Sequence, residues 1–132
     1  MIEIDPRSTM PIYEQIMQKL KELCIKGVLK PGDKLPSVRE MASMIIANPN
    51  TVSKAYKELE REGVIETLRG RGTFVSETVK KTLDEGKMKM IKEALRQIMI
   101  DAFYAGISLE QMYQWMEDMK QEFGSDDDAF HK

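Results

Sequence analysis

Apolar positions change their spacing along this chain, and each change marks an element. Ile2 and Ile4 alternate with acidic residues as far as Asp5-Pro6, the pattern of an extended arm. Ile12, Ile16, Leu20 and Leu23 then recur every three or four residues, with Tyr13 and Met17 widening the stripe, and predict an amphipathic helix ending near Gly27. Ser8, Thr9 and Pro11 read as its start: a hydroxyl caps free N–H groups and proline suits the first turn. Lys30-Pro31-Gly32-Asp33 is a turn. Ser37 with Glu40 three residues on has the form of a capping box, opening a second helix whose inner face is Val38, Met41, Ala42 and Ile45. That helix stops before Asn48-Pro49, because the residue before a proline is pushed out of the helical region.

The third helix starts at Asn48 or Pro49. Val52, Ala55, Tyr56 and Leu59 form its inward stripe, and Gly63 is placed to end it in a left-handed cap. Only about three residues join the second and third helices, and the exposed face of the third is polar. This is the pattern of a helix-turn-helix. Val64 to Leu68 then reads as a strand, Arg69-Gly70-Arg71-Gly72 as a tight basic loop, and Thr73 to Ser76 as the returning strand. A helix-turn-helix followed by such a hairpin makes a winged helix domain, expected over residues 1–76.

Residues 76–86 are polar and read as a linker or a fraying helix start. Beyond them Met88, Ile91, Leu95, Ile98 and Ala102 step by three and four, as do Leu109, Met112, Met116, Met119 and Phe123, with Ala105-Gly106-Ile107-Ser108 between the two series. Ser108 and Gln111 again have capping-box spacing. These heptad-like seams predict an antiparallel helical hairpin within 77–124. Residues 125–132, with Asp126, Asp127 and Asp128, read as a disordered acidic tail. The fold class is therefore mainly α with a small β-hairpin: an N-terminal winged helix-turn-helix and a C-terminal helical hairpin for dimerisation.

Composition narrows the function. At 132 residues the chain suits one or two small domains. No apolar run approaches the ~20 residues of a membrane span, and the N-terminus lacks a secretory pattern, so a cytoplasmic protein with no membrane partner is expected. The single cysteine, Cys24, lies near the first apolar stripe and reads as a small buried side chain. The one histidine, His131, lies in the acidic tail, so neither a histidine triad nor a zinc site has support. Arg69 to Gly72 lacks the ending of a P-loop. No enzyme activity and no cofactor are expected. The formal net charge is −2, but residues 1–75 carry 12 basic against 10 acidic side chains, net +2, and residues 76–132 carry 8 against 12, net −4. A basic front with an acidic rear is compatible with a nucleic-acid partner.

Three groups can carry such contacts. Arg39, at the start of the second helix, can bond a phosphate or a guanine edge through two nitrogens. Asn48, Asn50, Thr51 and Ser53 stand where the third helix offers free N–H groups and a positive end, and Lys54 and Lys57 can reach the backbone. At the hairpin tip Arg69 and Arg71 flank Gly70, with Gly72 and Thr73 following; arginine there suits a narrow minor groove.

The ordered series PIYEQI (Pro11 to Ile16), KPGDKLPSVREMA (Lys30 to Ala42), NPNTVSKAYKELEREG (Asn48 to Gly63) and RGRGTFV (Arg69 to Val75) resembles the GntR-type winged helix repressors, and NPNTV with a short helical C-terminus resembles the YtrA-like branch. The resemblance covers residues ~10–76; beyond them only length and helical character match. It implies that Arg39 contacts DNA, that Asn50, Thr51 and Ser53 are contacts on the third helix, and that the wing tip touches the minor groove. It also implies control of a neighbouring transporter operon. One residue departs from the pattern: Ile46 stands where the family usually has glycine. Either the turn there takes another shape or it stores strain.

The C-terminal seams, with Trp115, Phe103, Tyr104 and Tyr113, hold more large apolar side chains than one two-helix unit can bury. A homodimer through Met88, Ile91, Leu95, Ile98, Ala102, Leu109, Met112, Trp115, Met116 and Met119 is expected, on an inverted-repeat operator of double-stranded DNA. Eleven methionines leave two readings open: they fill the dimer core, or they line a site for an apolar small-molecule effector at the dimer interface. A reading from another class is a protein-interaction module, with the winged helix binding protein and the C-terminal helices scaffolding an assembly.

Overall fold

The computed structural model describes residues 2–77 and 84–124, which belong to two separate compact units. The first holds α1 (Ile12–Ile25), α2 (Val38–Ile45), α3 (Pro49–Arg61), β1 (Ile65–Leu68) and β2 (Gly72–Val75). The second holds α4 (Glu85–Tyr104) and α5 (Leu109–Gly124).

α3 is the centre of the first unit, packing against α1, α2 and β1. Ile16 and Leu20 of α1, Met41 of α2, and Val52 and Leu59 of α3 are its largest fully buried side chains. Each such side chain stabilises the fold by roughly 1.5–3 kcal/mol relative to exposure. The expected stripes all face this core, and Ile2 and Ile4 of the arm pack on it too.

α1 begins differently from expectation. Pro11 is the N-cap and no side chain caps the helix. The Ser8 hydroxyl instead accepts from the Met10 N–H at 3.1 Å, closing a turn before the helix. The buried Gln15 holds this entry, accepting from the Asp5 N–H and donating to the carbonyls of Asp5 and Met10. A side chain four residues inside the helix thus holds the entry, and the first N–H groups of α1 have no side-chain cap.

β1 and β2 pair antiparallel with Ile65 opposite Val75 and Leu68 opposite Gly72. The free edge of β2 is also covered. Gly32 N–H donates to the Val75 carbonyl, Val75 N–H to Asp33, and Leu35 N–H to Thr73, all within 2.8–2.9 Å. The segment read only as a turn therefore runs on along β2, with Lys34 in an isolated β-bridge to Phe74, and fastens the wing to the entry of α2.

In the second unit Asp84 caps α4, accepting from the N–H groups of Gly86 and Lys87, and the Ser108 hydroxyl accepts from Gln111 at the start of α5. The two C-terminal helices form, but they do not pack along each other as the expected hairpin. Ala102 is the one buried side chain of the described part of this unit. The seam residues Met88, Ile91, Leu95, Ile98, Leu109, Trp115, Met116 and Met119 stay exposed, and Met112 is half-buried. Closing these helices on each other inside one chain would bury only one stripe of each. Most of the linker and all of the acidic tail lie outside the described residues.

Candidate nucleic-acid interface

Three local structures frame α3. The first is the α2 entry. The Ser37 hydroxyl accepts from the Glu40 N–H at 3.1 Å and the Glu40 carboxylate accepts from the Ser37 N–H at 2.8 Å, a complete capping box. The Ser37 N–H, then its hydroxyl, with Lys34 adding a nearby positive charge, holds the Glu40 carboxyl below the usual carboxylate range. Because Glu40 is committed to the cap, it does not neutralise its neighbour. Arg39 is exposed and has no ion-pair partner among the described residues.

The second is the turn between α2 and α3. Ile46 adopts φ 54°, ψ 58°, the left-handed region, and Ala47 N–H closes back on the Ala42 carbonyl at 2.9 Å. The same six-residue closure ends α1, α3 and α4, where Gly27, Gly63 and Gly106 hold the left-handed position. Of the two options open for Ile46, strain is the one realised. Ile46 is the one non-glycine at positive φ among the described residues, and its side chain is 92% exposed. No packing compensates the unfavourable angle.

The third is the α3 N-terminus. Asn48 is the N-cap; its side-chain oxygen accepts from the Asn50 N–H at 2.8 Å, and Pro49 occupies the first turn. Asn48 therefore has its oxygen engaged and its amide N–H groups to offer. Asn50 is exposed, and Thr51 and Ser53 are half-buried beside it. Lys57 is exposed without an ion-pair partner among the described residues. Lys54 is held: its ammonium lies 4.0 Å from the centroid of the Tyr13 ring on α1. Such a cation–π contact is worth about 0.5–1 kcal/mol at an exposed site. Tyr13 gave no functional signal in the sequence, since the partner is a helix away.

The acids of α3 are occupied elsewhere. Glu58 pairs with Arg61 at 2.8 Å, Glu62 with Lys21 of α1 at 2.6 Å, and Glu60 accepts from the Thr67 N–H of β1. They consequently offset the lysines of this helix less than their number suggests.

Beyond α3 the wing turns at Leu68 to Arg71, closed by the Arg71 N–H to the Leu68 carbonyl at 2.8 Å, with Gly70 at φ 79°. Glycine is required at that angle. Arg69 and Arg71 are exposed at the tip, again with no ion-pair partner among the described residues. Gly72 opens β2, and Thr73 is half-buried with its carbonyl bonded to Leu35.

Among the described residues no group of His, Cys, Asp and Glu is arranged to hold a metal ion, and no helix is long and apolar enough to cross a membrane. The Cys24 thiol is half-buried, and burial with the nearby Asp33 pushes its pKa up, away from reactivity.

A capped, cation-flanked helix beside a basic β-wing defines a winged helix-turn-helix DNA-binding unit. Comparison with known proteins agrees. The family profile "Bacterial regulatory proteins, gntR family" matches residues 12–75. The chain is 71% identical to the HTH-type transcriptional repressor YtrA of Bacillus subtilis (strain 168), over 90% of this chain and 92% of that protein. Its fold is similar to a transcriptional antiterminator from Listeria monocytogenes EGD-e (TM-score 0.87, 41% identity, covering 100% of this chain and 98% of that one). It is also similar to the DNA-binding domain of AraR in complex with operator ORX1 (TM-score 0.52, 25% identity, covering 58% of this chain and 96% of that one). This chain belongs to the GntR family of bacterial regulatory proteins, in its YtrA-like branch. It is a DNA-binding transcriptional regulator and not an enzyme.

Proposed function

We propose that this protein is a homodimeric repressor that binds an inverted-repeat operator, with a neighbouring transporter operon as its target. The observation that carries the DNA contact is the set of arginines without ion-pair partners among the described residues, Arg39 before the α3 N-terminus and Arg69 and Arg71 beyond it. Asn48, Asn50, Thr51 and Ser53 read the major groove, Arg39 and Lys57 engage phosphates or a guanine edge, and the Arg69 to Thr73 segment lies along the minor groove. Lys54 contributes its charge from its place over Tyr13. The repressor reading is supported by the 71% identity to a protein named as one.

The dimer is supported by the uncovered apolar faces of α4 and α5. Phe103 is 76% and Tyr104 83% exposed, and Leu95, Ile98 and Met116 are exposed with them. A second copy is the natural cover, since two short helices have no core of their own. A two-fold dimer sets two recognition helices about 34–36 Å apart, one turn of DNA, and demands an inverted repeat. The apolar grooves of this unit run along single helices, from Lys92 to Tyr104 on α4 and from Tyr113 to Phe123 on α5. Methionines there serve the dimer core first, and an apolar effector at the interface second. A protein bound to chromosomal DNA works in the cytoplasm.

Binding to a duplex from the promoter upstream of its own gene, measured across a salt series, tests the reading. Affinity should fall steeply with salt as counterions return to the DNA. Arg39→Ala and Arg71→Ala should each weaken specific binding by about 1–3 kcal/mol. Unchanged affinity in both variants would remove them from the interface.

A further inference from the structure

The segment bridged to the wing brings a cation to its side that was not among the expected DNA contacts. Lys34 bridges to Phe74 of β2, so its backbone lies against the wing strand. Its side chain crosses Gly72. A Cβ built on Gly72 would sit 3.0 Å from the Lys34 Cε and 3.7 Å from its Nζ, so the lysine end occupies the space that a side chain at 72 would take. Gly72 immediately follows Arg71, so the ammonium stands at the base of the arginine wing. Lys34 is exposed and has no ion-pair partner among the described residues. In the other direction its charge reaches Glu40, next to Arg39 at the α2 entry. Lys34 therefore lies against the wing strand in space and three residues before the Ser37 cap of α2 in the chain.

When a recognition helix enters the major groove and a wing enters the adjacent minor groove, the strand separating the grooves passes between them. A cation lying between helix entry and wing faces that ridge of phosphates, and lysine serves phosphate as a point charge without base preference. We infer that Lys34 is a phosphate-contacting residue, seated across Gly72 to clamp the backbone strand that divides the two grooves. The assignment rests on the DNA-binding reading above. It gives Gly72 a second role: besides reaching φ 117°, it leaves open the path that Lys34 follows.

The test uses the full chain, the same promoter duplex and a scrambled duplex of equal length. Lys34→Met keeps most of the aliphatic stem and removes the charge. The slope of log affinity against log salt should become shallower by about 0.9 on both duplexes, and affinity should fall several-fold on both, because one phosphate contact carries no sequence information. Lys34→Arg should retain the wild-type slope. Thermal midpoints of both variants should match wild type. A Lys34→Met protein with an unchanged slope overturns the inference, whether or not its affinity falls, because a packing role does not alter ion release. If the wild-type chain shows no salt-dependent binding, this inference fails together with the DNA reading. If wild type and Lys34→Met share one steep slope, only this inference fails.

Discussion

The Tyr56 hydroxyl donates to the carbonyl oxygen of Pro36 at 2.7 Å, across twenty residues of chain. Tyr56 is buried on the inner face of α3, and Pro36 sits just before the Ser37 cap of α2. This bond ties α3 to the loop that launches Arg39. It keeps the α2 entry and α3 in one geometry, and a carbonyl just before a helix start would otherwise need water.

Tyr56→Phe should cost about 1 kcal/mol in urea unfolding, since it removes one bond and leaves the Pro36 carbonyl unpaired. The phenol also predicts a pH effect. Burial, with the nearby Glu40 charge, pushes its pKa from 10.0 up to about 12. The folded state therefore favours the neutral phenol. Stability from this group is complete below pH 10, where the unfolded phenol is also neutral, and is lost as pH rises from about 10 through 12. Alkaline unfolding followed by tyrosinate absorbance should show that loss in wild type and a smaller one in Tyr56→Phe.

Ile46→Gly should raise stability. A left-handed angle costs an L-residue about 1–2 kcal/mol, glycine returns roughly half of that as lost backbone entropy, and the exposed isoleucine side chain has little packing to lose. The expected net gain is about 0.5–1 kcal/mol, read as a higher urea midpoint with an unchanged slope. A lower midpoint would mean that Ile46 makes a stabilising contact in the intact assembly.

Leu95→Glu should separate assembly from folding. Leu95 is exposed on α4 in the single chain, so an isolated first unit loses nothing by the change. At a dimer seam it places an unpaired carboxylate in an apolar contact. Sedimentation should report a monomer, and affinity for a two-half-site operator should fall by about a hundredfold or more as bivalent binding is lost. A variant that remains dimeric would place Leu95 outside the interface.

The elements were legible in the chain because their signals are local. Ser37 with Glu40, Asn48 with Pro49, and Gly63 each act within a few residues and as their spacing implied, and the Ser108 hydroxyl caps α5 through the Gln111 N–H. The inward stripes of α1, α2 and α3 were equally readable, because one helical period determines which residues share a face. The entry of α1 was misread for a matching reason: a hydroxyl cap is a local rule, but Gln15 reaches back ten residues to Asp5.

By itself the sequence determined which segments become helices and strands, which side chains of α1, α2 and α3 point inward, and which motifs place arginines at the α2 entry and the wing tip. Tertiary structure decided which charges are available. It engages Lys54 with Tyr13 and Lys21 with Glu62, and leaves Arg39, Arg69 and Arg71 without ion-pair partners among the described residues. It also laid residues 32–35 along β2, which brought Lys34 across Gly72, and kept α4 and α5 from covering each other. The physical reason is range. Helix periodicity, capping and turn chemistry depend on neighbours in the chain, whereas ion pairing, strand addition and the fate of an apolar face depend on what the fold, or a second copy, brings within a few ångströms.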